Sequence, residues 1–320
     1  MKTNKILISP SSFGQCGLEP MEILKNEDYN LILNPFGRKL TEDEVISIAS
    51  DVVGIIAGVE SLNRKVIDNL PNLKCISRVG VGMDNVDLEY AKQRGIVVVN
   101  TPDGPTRAVA ELTLAMTMAL LRRVPQADAN MKKGIWKKET GNLLFEKTVG
   151  VVGLGRIGKT VAQIFSSLGN SVIGYDIIED KDWAAKYGIK LVNFIDVIKS
   201  ADILTLHIPG SKDKKPIITK EIISLMKPKA FLINISRGDV VDETALEGAL
   251  RMKQLAGAAV DVFSIEPYDG NLTNLDNVVL TPHLGSYAEE GKLKMEIDAV
   301  KNLIDVFAKQ KTSDFSSFIA

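Results

Sequence analysis

The sequence predicts an α/β protein made of two doubly wound parallel-sheet domains, one flavodoxin-like and one Rossmann. Three observations predict it. Short Val/Ile-rich runs alternate with helical patterns along nearly the whole chain; those runs are mostly continuous in hydrophobicity; and a Gly-x-Gly-x-x-Gly segment directly follows one of them. The length of 320 residues suits about two ordinary domains, and a chain 45% apolar and 25% charged has the balance of a folded globular protein.

In the N-terminal third, strands are expected at Lys5–Ser9, Asn30–Asn34, Val52–Ala57, Leu73–Val79 and Ile96–Asn100, with helices between them. The helix from Thr41 opens on Thr41-Glu42-Asp43-Glu44, a capping box in which Thr41 and Glu44 satisfy each other's backbone N–H. Thr101-Pro102-Asp103-Gly104-Pro105 breaks the rhythm, and Pro105 suits the first turn of a long helix through about Arg123. The apolar run in that helix, Leu112 to Leu121, contains two threonines and is shorter than the roughly twenty residues a membrane span needs, so it reads as a buried helix. A second series begins at Thr148–Val152 and continues with Ser171–Asp176, Lys190–Val192, Asp202–Ile208, Ala230–Ser236, Ala256–Val262 and Val278–Leu280. From about Tyr287 to Lys309 the pattern is helical again. The expected layout is a discontinuous substrate-binding domain, 1–101 with 287–320, and a dinucleotide-binding domain, 102–286, with a cleft between them.

Several function classes fall away. With 39 basic against 40 acidic residues, no positive field is available to hold a nucleic-acid backbone. Ile6-Leu7-Ile8 is too short an apolar stretch for a signal peptide, and no membrane association is expected. Cys16 and Cys75 lie far apart with no His or Cys at ligand spacing, which fits thiols of a reducing cytoplasm and no metal site.

Gly153-Leu154-Gly155-Arg156-Ile157-Gly158 follows the Val149–Val152 strand and opens a helix. The first glycine permits the tight turn, the second lets a pyrophosphate approach the backbone, and the third lets helix and strand pack. The next strand closes on Asp176, near the spacing of roughly twenty residues at which an acid meets the adenosine ribose. The cofactor expected is therefore NAD rather than NADP, since a 2′-phosphate would meet Asp176 and Ile177-Ile178-Glu179-Asp180 brings no arginine. A second pair, Gly80-Val81-Gly82, also ends a strand and reads either as a plain turn or as an anion-binding nest of backbone N–H groups.

Only two histidines are present, His207 and His283. His283 lies in Thr281-Pro282-His283-Leu284-Gly285-Ser286, Glu266 precedes Pro267, and Arg237 follows the strand through Ile235. All three fall at the C-terminal ends of expected parallel strands, where open α/β sheets bind ligands. Reducing a 2-oxo acid needs a guanidinium for the carboxylate and carbonyl, a proton donor that titrates near neutrality, and an acid that orients that donor. Singly, each residue also has a plain explanation as a surface charge, a turn residue or a capped loop histidine.

Together the motifs resemble those of the D-isomer-specific 2-hydroxyacid dehydrogenases. Asn234-Ile235-Ser236-Arg237-Gly238-Asp239-Val240-Val241-Asp242 resembles their arginine motif, Val260-Asp261-Val262-Phe263 with Glu266-Pro267 their glutamate motif, and Thr281-Pro282-His283 their histidine motif. Ser77-Arg78-Val79-Gly80-Val81-Gly82-Met83-Asp84-Asn85-Val86-Asp87 resembles the substrate loop of the branch containing D-3-phosphoglycerate dehydrogenase. The resemblance implies an enzyme in which Arg237 binds substrate, His283 is the acid/base and Glu266 tunes it. Val79, Gly80 and Val81 would take the substrate carboxylate through their backbone, beside Arg78. Gly153, Gly155, Arg156, Ile157, Gly158 and Asp176 would hold one half of NAD; His207, Ile208, Ser236, Asp261 and Ser286 would line the other. It also implies a homodimer built through the cofactor domain.

The leading substrate pair is D-3-phosphoglycerate and 3-phosphohydroxypyruvate, with Arg78, Arg107, Lys137 and Lys138 as cations for a phosphate; hydroxypyruvate or glyoxylate reduction is the alternative. Two departures bear on this. The loop Ala57-Gly58-Val59-Glu60 lacks the basic residue that phosphohydroxypyruvate enzymes often carry there, and the sequence ends at Ala320 without the regulatory domain of longer relatives, so serine feedback is not expected. Formate dehydrogenase-like relatives place a glutamine where Glu266 stands, which argues against that chemistry. A NAD-sensing scaffold that keeps the triad is the reading from a different class, and turnover with any 2-oxo acid separates it from an enzyme.

Overall fold

The N-terminal sheet begins with β1 (Asn4–Ile8), followed by α1 (Glu19–Lys25), β2 (Tyr29–Leu33), α2 (Glu42–Ala49), β3 (Gly54–Ala57), α3 (Arg64–Asp68), β4 (Cys75–Arg78), α4 (Leu88–Gln93) and β5 (Val97–Val99). In this computed structural model, which describes residues 4–210, 213 and 215–312, the five strands pair in the order β2-β1-β3-β4-β5, all parallel. Each strand needs a crossover before the next, and the helices supply it while covering both faces. The capping box of α2 is formed, with Thr41 Oγ1 accepting from Glu44 N–H and the Glu44 carboxylate accepting from Thr41 N–H. One face buries Val45, Ile55 and Ile76; the other packs Ile6, Ile56 and Cys75 under Ala299, Val300 and Leu303 of α12 (Glu289–Thr312, numbered in chain order).

The second series runs α5 (Gly104–Arg122), α6 (Val124–Lys132), β6 (Thr148–Val152), α7 (Arg156–Ser167), β7 (Ser171–Tyr175), α8 (Lys181–Tyr187), β8 (Lys190–Leu191), α9 (Phe194–Ser200), β9 (Ile203–Leu206), α10 (Lys220–Leu225), β10 (Phe231–Asn234), α11 (Glu243–Arg251), β11 (Gly257–Val260) and β12 (Val278–Leu280). Its seven parallel strands lie in the order β12-β11-β10-β9-β6-β7-β8. The expected fold class is thus borne out, with strands that range from the full length of the expected runs to three residues shorter. Val149, Val151, Ile203 and Ile233 pack on one side, and Leu204, Leu206, Leu232 and Val260 on the other, which is why these runs show no polar alternation.

The two threonines in the apolar helix, Thr113 and Thr117, are fully buried and return their hydroxyls to the carbonyls of Val109 and Thr113. That helix ends at Arg122, within a residue of where the sequence places its end. Arg123 adopts φ 55° and Pro125 stands at the start of a further helix, α6, which the sequence analysis did not anticipate. By contacts the chain forms two compact units, Met1–Pro105 with Ser286–Ala320, and Thr106–Gly285. No described helix is long and apolar enough to cross a membrane.

Candidate active site

In the second unit the strand order reverses between β6 and β9, and the glycine loop leaves β6 at that point. Gly153 has φ +92°, and a Cβ there would stand 2.4 Å from the His207 carbonyl oxygen beyond β9. A Cβ on Gly158 would meet the Gly153 carbonyl at 1.8 Å, so this glycine sets how closely α7 approaches the loop. Above Gly155 there is open space, and Gly155 is the N-cap of α7. This is the cradle a dinucleotide pyrophosphate requires: exposed N–H groups at a helix start with no side chain in the way. Arg156 and Ile157 form the first turn of α7.

Asp176 follows β7 and is oriented by the glycine loop and by its own. Its Oδ2 accepts from Leu154 N–H at 2.5 Å and its Oδ1 from Ile178 N–H at 3.0 Å. A cavity of about 630 Å³ opens there, lined by Asp176 together with Leu154, Gly155, Lys159, Ile178 and Asp180. Lys159 was missed in the sequence because one lysine on an amphipathic helix carries no signal of what it faces.

His207 Nε2 lies 2.9 Å from Thr205 Oγ1, and enclosure of the ring pushes its pKa down to about 3, so it is neutral. Ile208 follows it, its Cγ2 near Gly153. Ser236 is buried, donating from its hydroxyl and its N–H to Asn234 Oδ1 at 2.8 and 3.1 Å; Asn234 Nδ2 in turn donates to the Arg237 carbonyl at 2.9 Å. This Asx-type turn after β10 presents Arg237, whose Nη1 donates to the Ser236 carbonyl at 2.8 Å.

Glu266 and His283 come together from loops after β11 and β12. Glu266 Oε2 and His283 Nδ1 are 2.9 Å apart, while Glu266 Oε1 accepts from Phe263 N–H at 3.1 Å. With Nδ1 facing the carboxylate, Nε2 is the ring nitrogen left for a ligand. His283 has φ 55°, a left-handed conformation that its backbone N–H stabilises by donating to the Asp261 carbonyl at 2.8 Å.

Asp261, expected along the nicotinamide half of the cofactor, lies under the histidine loop. It is 0% exposed, and its carboxylate accepts from Thr281 Oγ1 (2.5 Å), Leu284 N–H (2.7 Å) and Gly285 N–H (2.9 Å). These bonds clamp the histidine loop; burial pushes the Asp261 carboxyl upward while the donors pull the other way. Ser286, expected beside the nicotinamide, is the first residue of the returning segment of the first unit.

In the substrate loop two of the expected backbone donors already have intraprotein acceptors. Val79 N–H is committed to the Ala57 carbonyl at 2.8 Å and Gly80 N–H to Thr101 Oγ1 at 2.7 Å. Of the three backbone groups named for a carboxylate, Val81 N–H remains, on a residue 38% exposed. Arg78 Nη1 folds back to the Val79 carbonyl, so close over Gly80 that a Cβ there would clash with it. Among the described residues no group of three or more His, Cys, Asp or Glu side chains is placed to hold a metal ion.

A parallel sheet with a glycine loop at its switch point and an acid at the end of the next strand defines a dinucleotide-binding fold. The sequence model described as "D-isomer specific 2-hydroxyacid dehydrogenase, NAD binding domain" matches residues 114–285. The chain belongs to the D-isomer specific 2-hydroxyacid dehydrogenase family. It is 38% identical over 306 residues to D-3-phosphoglycerate dehydrogenase of Synechocystis, covering 94% of this chain and 54% of that one. It is 40% identical over 260 residues to glyoxylate reductase of Thermococcus litoralis, covering 78% of each. The crystal structure of D-lactate dehydrogenase from Aquifex aeolicus, complexed with NAD and lactic acid, superposes with a TM-score of 0.84 at 28% identity over 98% of both chains. The chain spans about half the length of the phosphoglycerate dehydrogenases it matches.

Proposed function

We propose that this protein is a NAD-dependent D-2-hydroxyacid dehydrogenase, with Thr106–Gly285 as the nucleotide unit and Met1–Pro105 with Ser286–Ala320 as the substrate unit. The observation that carries the proposal is the His283–Glu266 pair, 2.9 Å apart at strand ends in the unit that holds the glycine loop. The nicotinamide, when bound, supplies the hydride that goes to the carbonyl carbon of a 2-oxo acid. His283 gives its Nε2 proton to the carbonyl oxygen, and Glu266, fixed by Phe263 N–H, keeps the ring turned so that Nε2 faces the substrate. Arg237 holds the substrate carboxylate and polarises the carbonyl. In the oxidative direction the same imidazole, neutral, takes the hydroxyl proton.

The phosphoglycerate dehydrogenase relatives make D-3-phosphoglycerate and 3-phosphohydroxypyruvate the leading pair. One observation favours an unphosphorylated acid such as hydroxypyruvate or glyoxylate. In the first unit the strand order reverses between β1 and β3, and Glu60, 2% exposed, fills that position. Its carboxyl takes the Ser9 hydroxyl and the Gly58 N–H, the donors a phosphate would use there. Arg107 and Lys137 are likewise paired, with Glu111 at 2.6 Å and Glu139 at 2.7 Å, while Lys138 is exposed.

Exposed apolar side chains concentrate between Met118 and Phe145, including Trp136 at 80% exposure, and this supports a homodimer formed through the nucleotide unit. Two unpaired cysteines, one fully buried, fit the cytoplasm.

The test is a panel of 2-oxo acids with NADH. Turnover should be measurable, and His283→Gln should slow single-turnover reduction by about 10²–10⁴-fold. A phosphate site would favour phosphohydroxypyruvate over hydroxypyruvate by well over tenfold in kcat/KM, roughly 1.4 kcal/mol, whereas the Glu60 arrangement leads to no such preference. Absence of turnover with every acid would leave the binding scaffold as the better reading.

A further inference from the structure

Lys159 and Asp176 line the same cavity at the adenosine end of the glycine loop. Lys159 lies one turn into α7, and its ammonium group is not left to solvent. It is ion-paired with Asp180 Oδ2 and sits 5.1 Å over the ring of Trp183. Asp180 is itself fixed, because its Oδ1 accepts from Trp183 N–H at 3.1 Å as the N-cap of α8. The carboxylate therefore has one oxygen on the backbone and the other on the lysine. The other lining cation, Lys181, faces Glu179 at 3.5 Å.

A phosphate on the ribose 2′-oxygen would bring up to two negative charges beside Asp176. Lysine is a flexible point charge, and one released at this wall is positioned to answer them. We infer that Asp180 is a specificity-determining residue: by holding Lys159 against Trp183 it withholds the cation that a 2′-phosphorylated nucleotide would need. Discrimination against NADP is then shared between repulsion by Asp176 and sequestration of Lys159 by Asp180. The inference rests on the reading of this cavity as the adenosine site of the proposed dehydrogenase.

Calorimetric titration of the full chain with ADP-ribose and with 2′-phospho-ADP-ribose tests it without requiring catalysis. Asp180→Asn keeps an N-cap side chain, so α8 should remain formed. This variant should bind ADP-ribose within about twofold of the parent and bind the 2′-phosphorylated probe about tenfold more tightly, the effect of one charge-assisted hydrogen bond. Adding Lys159→Gln should remove the gain. Asp182→Asn deletes another carboxylate of the same cavity that carries no such ion pair, and should give much less. Equal gains from Asp180→Asn and Asp182→Asn would mean that diffuse charge alone sets the preference and would overturn the inference, as would no gain at all. Failure of ADP-ribose to bind any variant would overturn the nucleotide reading itself, and the inference with it.

Discussion

The histidine that the proposed reaction depends on stands where a carboxylate with no surface puts it. Asp261 holds three donors of the 281–285 loop and gives its own carbonyl to His283 N–H, so the imidazole is delivered by a buried clamp, not by its own contacts. The residue pattern singled out His283, Glu266 and Arg237 as candidates, because each is a chemically distinctive side chain at a strand end. It did not reveal the groups that aim them, Asn234, Thr281 and Asp261, since short polar residues after strands are common for turn reasons alone. His207 illustrates the same limit. Its place beside Ile208 and Pro209 was legible, its neutrality was not, because that depends on how the ring is enclosed. The consequence for stability follows from the sign of the shift. The unfolded chain takes up a proton at this site near pH 6.5, the folded chain only near 3, so the stability contributed by neutral His207 is complete above about 6.5 and is lost as pH falls toward 3. His207→Gln should flatten the fall in urea-unfolding free energy between those limits, relative to the parent. Parallel stability curves for the two proteins would show that the ring is not enclosed as described.

At the scale of elements, the arginine and glutamate segments are joined at two points. Gly238 lies so close to the next loop that a Cβ would stand 1.9 Å from the Phe263 carbonyl carbon, and Glu243 at the start of α11 accepts from Ser264 N–H at 2.6 Å. Phe263 in turn supports Glu266 through its N–H. Glu243 is thus a positioning residue for Glu266 although it touches no reacting group. Glu243→Ala should lower kcat with little change in the KM for NADH. Single-turnover reduction should slow in step with kcat, because a loosened Glu266 no longer keeps the His283 ring turned toward the carbonyl oxygen. Glu243→Gln retains an acceptor oxygen and should restore both. An Ala variant that raises the KM for NADH while keeping the parental kcat, or a Gln variant as impaired as Ala, would rule out this role. The bolt was invisible in the sequence because it joins residues brought together only when β10 and β11 pair, whereas the capping box of α2, a four-residue device, was readable outright.

For the molecule as a whole, periodicity was enough to find both sheets, because strands covered on two faces advertise themselves as unbroken apolar runs. What periodicity concealed was a segment whose apolar side chains stay exposed among the described residues. The nine-residue helix α6 has no buried residue, yet it carries Val124 and Met131, each more than half exposed, and it leads into Trp136, Leu143 and Phe145, exposed by 80%, 69% and 61%. Isolated helices of this length are marginal in water, and large apolar side chains at such density are seldom left wet on a monomer. A second copy of the chain packed on this surface would account for both, in keeping with the homodimer proposed above. Sedimentation equilibrium at micromolar concentration should then give twice the 34.9 kDa chain mass. Leu143 and Phe145 flank Leu144, which is buried, so replacing the two outward residues together by glutamate leaves the core intact while placing charge on the covered surface. The Leu143→Glu/Phe145→Glu protein should sediment as one chain with an unchanged far-ultraviolet spectrum and with α6 amides exchanging faster. A parent protein that sediments as a single chain, or a doubly substituted one that stays paired, would place the contact elsewhere and leave the exposed face of α6 without a function.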